Sequence, residues 1–140
     1  MFKGWGRGEA TVPKAAKAAG TKAVGDSAEA LALDYLQQQG LTLVQRNYRL
    51  AGGPGQRGAE IDMILREPDG TLVFAEVRAR RGSGFGGAAG SVSLIKQQRI
   101  QRAAQHYLAR LAVLPPCRFD VVAIDGGQLQ WLRGAFDAAG

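Results

Sequence analysis

The chain holds one cysteine, Cys117, and one histidine, His106, among 140 residues. A single cysteine excludes an internal disulfide and a cysteine-based zinc site. A single histidine argues against a histidine-rich metal site and against a Ser-His-Asp triad. His106 falls in a polar helical stripe, so solvation is its expected state. No apolar run is long enough to span a membrane. The opening residues, MFKGWGRGEA, lack the apolar core of a signal peptide. A cytoplasmic protein is the expectation. What remains for chemistry is acids, bases and glycine.

Basic residues outnumber acidic ones, 18 to 12, for a net charge of +6. Residues 1–22 carry Lys3, Arg7, Lys14, Lys17 and Lys22 against Glu9, so much of the excess lies there. A basic chain suggests an anionic partner, of which nucleic acid is the commonest. Residues 1–24 are rich in Gly, Ala and Lys and show little apolar periodicity. They read as a flexible basic arm ahead of a single domain over residues 25–140.

Within that domain, Gly25-Asp26-Ser27-Ala28-Glu29 opens a helix with apolar positions at Leu31, Leu33, Tyr35 and Leu36, ended by Gly40. Residues 41–50 read as a strand. A glycine-rich link then leads into a hairpin over residues 58–81, a second glycine-rich link follows, and a long helix runs from about Ser93 to Ala112. Pro115-Pro116 breaks it. Residues 118–124 and 128–133 read as two further strands. A long helix between the hairpin's second strand and the next strand suits a crossover between parallel strands, normally right-handed. The expected fold class is α/β, a mixed central sheet flanked by helices.

The hairpin carries the strongest chemical signal. Two apolar runs flank Glu67-Pro68-Asp69-Gly70, a turn sequence. If the turn centres on Asp69, Asp62 faces Glu76 and Glu60 faces Arg78. These four share one face with Ile64, Leu72 and Phe74. Ile61, Met63, Leu65, Val73, Ala75 and Val77 take the other. Opposed Cβ atoms lie roughly 5 Å apart, where like charges are destabilising. Two carboxylates there suit a hard divalent ion such as Mg²⁺ between them. The alternative is a plain Glu60–Arg78 ion pair with Asp62 and Glu76 at solvated strand ends. A two-residue turn would shift the register and separate the acids.

Other candidates surround the hairpin. Glu29 lies at the edge of the first helix's apolar face, with Ala32, Leu33 and Leu36 one and two turns on. Asp26 and Glu29 also fit a capping box, which would explain the glutamate without a site. Lys96, Arg99, Arg102, His106 and Arg110 form a helical stripe that could track phosphates, or simply a solvated face. Arg80 and Arg81 close the hairpin's second strand and join Lys96, Arg99 and Arg102 as candidate nucleic-acid contacts. Ser91 and Ser93 near the helix start could present N–H groups to an anion. Phe85, the one large apolar residue of the second glycine-rich link, either anchors that loop or stacks on a base. Arg118 could contact phosphate or pair with a site acid, and Phe119 belongs to the core.

Taken together, G-x-x-A-E opening a helix, E-I-D-M-I, F-A-E-V-R-A-R, a lysine in the first turn of the next helix, and R-F-D-V-V resemble the uncharacterised bacterial YraN-like family. The resemblance covers about residues 25–136. That family is placed in the restriction-endonuclease-like, PD-(D/E)xK superfamily, near archaeal Holliday-junction resolvases. The resemblance implies a restriction-endonuclease-like fold and an endonuclease acting on DNA, branched DNA included, with Mg²⁺ or Mn²⁺. It implies metal binding by Asp62 and Glu76, with Glu29 completing the acidic cluster. It places Arg78 at the lysine position of the D/E-x-K element and Lys96 at the lysine opening the next helix. Resolvase-like enzymes act as dimers, which implies a homodimer. Arg78 is a departure: arginine stays protonated and cannot act as a base, although it can stabilise charge and bind phosphate bidentately. Ala59 is another, standing where the family more often has glycine. The alternative function is a non-catalytic nucleic-acid-binding module on the same fold.

Overall fold

The computed structural model describes residues 7–11, 21–80, 92–125 and 127–137. Seven elements follow the expected order: helix α1 (Thr21–Gln38), strand β2 (Thr42–Leu50), the hairpin β3 (Ala59–Arg66) and β4 (Leu72–Arg80), helix α2 (Leu94–Leu108), and strands β5 (Cys117–Asp125) and β6 (Gln128–Phe136). A further strand, β1 (Arg7–Thr11), precedes them. The six strands form one sheet in the order β1-β6-β5-β4-β3-β2. Only the β4–β5 pair is parallel, and α2 is the crossover that joins those two strands. The architecture is the mixed α/β sheet with flanking helices that the sequence indicated.

Two expectations need correction at the N-terminal side. The composition of residues 1–24 suggests a flexible arm, but Arg7–Thr11 pair antiparallel with β6, Gly8 opposite Trp131. The physical reason is edge pairing: β6 would otherwise present a row of unpaired backbone groups. RGEAT has no alternation that would announce a strand. Helix α1 also begins at Thr21, so Asp26 is inside the helix and cannot be its N-cap. The capping-box explanation of Glu29 therefore fails.

The hairpin register is the expected one. Glu67 N–H donates to the Thr71 carbonyl at 2.9 Å, and Met63, Ile64 and Leu65 face Ala75, Phe74 and Val73. The turn chemistry sets it. The Asp69 carboxylate accepts the Thr71 N–H at 2.9 Å, and Gly70 takes the positive φ of +97° that a side chain would resist.

Both faces of the hairpin are buried, which is why its strands read as near-continuous apolar runs. On one face Ala28, Ala32 and Leu36 of α1 pack with Met63, Leu65, Val73 and Ala75. On the other, Ile100, Ala103, Ala104 and Tyr107 of α2 pack with Ile64, Leu72, Phe74 and Phe119. Ile61 belongs to this α2 layer, not to the Met63 face where strict alternation puts it. The phase breaks at Asp62, close to Asn47 on the neighbouring strand, whose φ is +52°. Among the described residues no helix is long and apolar enough to cross a membrane.

Candidate functional site

The hairpin forks where its acids lie. Pairing between β3 and β4 ends at Met63–Ala75. Beyond that point β3 continues along β2 as far as Ala59, and β4 continues along β5 as far as Arg80. In the opening, the Asp62 side chain takes over from the ladder: its Oδ2 accepts the Val77 N–H at 2.8 Å. This contact satisfies a backbone donor that the missing strand pair would leave unpaired. It also locks Asp62 beside Glu76.

Glu76 is 5 % exposed. Its Oε2 lies 3.2 Å from Lys96 Nζ in the first turn of α2 and 3.9 Å from Arg78 Nη1. The helix start is set by Ser93, whose Oγ accepts the Lys96 N–H at 3.1 Å. Ser93 thus caps α2 and fixes the turn from which Lys96 reaches in. Burial, then the neighbouring Asp62 charge, push Glu76 up to about 7, and Lys96 opposes them. Burial likewise holds the Asp62 carboxyl above its ordinary value, against the Val77 N–H and Lys96, which pull it down. Two carboxyls that cannot both ionise cheaply, inside a fork and next to cations, make this the candidate site.

The other expected members fall differently. Glu60 does not pair with Arg78; it lies 3.4 Å from Arg49 on β2, because the fork carries β3 away from β4. Glu29, on the α1 layer, lies 3.8 Å from Arg46. Among the described residues no three His, Cys, Asp or Glu side chains form a metal-holding group, so Glu29 does not complete an acidic triad with Asp62 and Glu76. Asp62 and Glu76 alone still fit a hard divalent cation. Mg²⁺ is commonly held by one or two carboxylates with water completing its shell, and a dication would offset the burial and the Asp62 charge that raise Glu76.

The helical stripe is engaged with the protein itself. Arg99 Nε donates to the Gly58 carbonyl at 3.1 Å, and Arg102 Nη2 donates to the Arg57 carbonyl at 2.9 Å. Both contacts pin the link before β3 to α2. Arg110 lies over the Tyr48 and Tyr107 rings, 5.8 and 5.6 Å from their centroids. His106 is not simply solvated: its Nδ1 is 2.6 Å from the Tyr48 hydroxyl. Arginine has five donors in a fork, so one internal bond leaves Arg99 and Arg102 others for an external anion. Arg80 ends β4 opposite Asp125. Arg81, Phe85 and Ser91 lie outside the described residues.

A second buried charge cluster escaped the sequence reading. Asp120 is fully buried, and its carboxylate accepts from Arg118 Nε at 2.8 Å, Arg118 Nη2 at 3.0 Å, Trp131 Nε1 at 2.9 Å and Gly134 N–H at 2.9 Å. Glu67 Oε2 joins Arg118 and Arg133, at 2.6 and 3.0 Å. Burial works against the Arg118 charge, but Asp120 and Glu67 outweigh it and raise its pKa. Arg118 is therefore committed to structure, not to phosphate. The available signal was Arg118 and Asp120 two residues apart in an otherwise apolar strand, opposite charges on one buried face.

The sequence model of "Uncharacterised protein family UPF0102" matches residues 28–124. A UPF0102 protein of Methylibium petroleiphilum is 65% identical over 119 residues, covering 85% of this chain and 98% of that one. A UPF0102 protein of Acidovorax sp. strain JS42 is 60% identical over 119 residues, covering 85% and 88%. One from Albidiferax ferrireducens is 56% identical over 128 residues, covering 91% and 98%.

Proposed function

The chain belongs to UPF0102, the YraN-like family, whose name assigns no activity, and we propose from the site that it is a metal-dependent endonuclease acting on DNA, with the restriction-endonuclease-like chemistry that its motifs resemble. The observation that carries this reading is the fork: Asp62 and Glu76 held side by side, with Glu76 raised to about 7 and Lys96 at 3.2 Å. Asp62 and Glu76 would hold Mg²⁺ or Mn²⁺. When bound, the metal polarises a phosphate and lowers the pKa of its water. Lys96 and Arg78 stabilise negative charge developing on the phosphoryl oxygens. Neither is assigned the role of base: both lie against the Glu76 carboxyl. Arg99 and Arg102, further along α2, hold the backbone without reading sequence.

Purified protein is incubated with Mg²⁺ or Mn²⁺ and linear duplex, single-stranded, flap and four-way-junction DNA. Wild type is expected to cleave at least one of these. Glu76→Ala is expected to lose at least about 100-fold in rate while keeping its far-UV circular dichroism. Equal cleavage by the two proteins overturns the proposal.

A non-catalytic DNA-binding module is the second reading. The contact that favours it is Lys96 on Glu76 Oε2, which a metal must displace or share. Binding without cleavage in that assay selects it.

A further inference from the structure

Helix α2 opens with two large apolar residues that its packing does not use. Leu94 is 66% exposed and Ile95 69%. The buried face of α2 is Ile100, Ala103, Ala104 and Tyr107, at the three- and four-residue spacing of a core stripe. Lys96 continues that stripe one turn back, and Leu94 and Ile95 fall off it. A single exposed apolar residue needs no explanation, whereas two in succession beside a cluster of charged side chains do. Helical side chains lean toward the N-terminus, so both project past the start of α2. Lys96, the next residue, is anchored to Glu76 at 3.2 Å. The pair therefore stands within one turn of the acidic fork. Arg78 and Lys96, 33% and 35% exposed in their side chains, flank it with positive charge.

A ligand suited to this surface offers negative charge and an apolar face a few ångströms apart. A nucleotide does both, through its phosphate and its base. In a stacked duplex the base faces are covered. Apolar side chains reach them only by wedging between steps, at a cost of a few kcal/mol that is smallest where bases are already unpaired. Resting on the nuclease reading above, we infer that Leu94 and Ile95 form an apolar wedge that packs on unstacked bases next to the bound phosphate. The preferred ligand is duplex DNA interrupted by unpaired nucleotides. The wedge is a specificity element, and the acids and cations of the fork remain the reacting groups.

The molecule supplies its own control. Val113 and Leu114 are as exposed, at 78% and 68%, but lie beyond the other end of α2. Along the helix that is roughly 20 Å away. Binding is measured by fluorescence anisotropy without divalent metal, on a continuous duplex and on the same duplex with an unpaired bulge carrying 2-aminopurine. Wild type is expected to bind the bulged duplex at least about tenfold more tightly and to change the 2-aminopurine emission. Leu94→Ser with Ile95→Ser is expected to abolish both the preference and the emission change, with affinity for continuous duplex kept within about twofold. Val113→Ser with Leu114→Ser is expected to behave as wild type. A preference that survives in the first double variant, or falls equally in the second, overturns the wedge and leaves the nuclease reading standing. Wild-type protein that binds neither DNA overturns both.

Discussion

Glu76 and Asp120 sit one register step apart on the adjacent parallel strands β4 and β5, yet face opposite layers of the molecule. Both are acids in an apolar core. Asp120, on the α1 side, has a bidentate arginine, an indole N–H and a backbone N–H. Glu76, on the α2 side, has one close ammonium, one distant guanidinium and a second carboxyl that repels it. Burial is the same; compensation is not. A buried charge that is fully paired resists removal of its partners and holds structure. One left under-compensated gains from any cation that reaches it. The contrast separates the scaffold from the site.

Breaking the well-compensated cluster should have the largest effect on stability. Asp120→Ala leaves the half-buried Arg118 with Glu67 as its remaining partner and strips the Trp131 and Gly134 N–H groups of their acceptor, and should cost about 3–5 kcal/mol in urea unfolding. The under-compensated cluster should respond in the opposite sense. Glu76→Gln should stabilise the metal-free protein at pH 8 by about 1–3 kcal/mol, while abolishing the cleavage proposed above. The sign follows from the raised pKa. Between its ordinary value of 4.5 and about 7, Glu76 is protonated when folded and ionised when unfolded. The folded state binds more protons there, so wild-type stability falls as pH rises through that window and levels off above it. Glu76→Gln should flatten this dependence, seen as unfolding midpoints measured from pH 4 to 8.

Lys96→Ala sharpens the comparison. Lys96 opposes the upward shift of Glu76, so its loss should carry the falling limb of the stability profile above pH 7. The smallest effect is expected at the stripe. Arg102→Ala removes one exposed bond to the Arg57 carbonyl and should change stability by no more than about 0.5 kcal/mol. Its signature should be in DNA binding, where the slope of log affinity against log salt falls by about one.

The fold was legible where local chemistry decides it. Pro68-Asp69-Gly70 sets the hairpin turn, and with it the register that brings Asp62 toward Glu76. The spacing of Ile100, Ala103, Ala104 and Tyr107 identifies the buried face of α2. What could not be read depends on partners remote in sequence. His106 meets Tyr48 from 58 residues away, and Glu67 meets Arg133 from 66. β1 forms because β6 offers an edge, not because RGEAT favours a strand.

The sequence by itself determined the two carboxylates, the cations near them, the turn that aligns them and the helices that cover the sheet. Each follows from residue type and short-range spacing. Tertiary structure decided that the hairpin forks at Asp62, that Lys96 rather than Arg78 is the near cation, that Glu60 pairs with Arg49, and that Glu29 stands with Arg46. The reason is common to all four. A strand or helix fixes which side chains share a face, but the charge each one meets depends on which neighbouring element reaches it, and only packing of the whole sheet settles that.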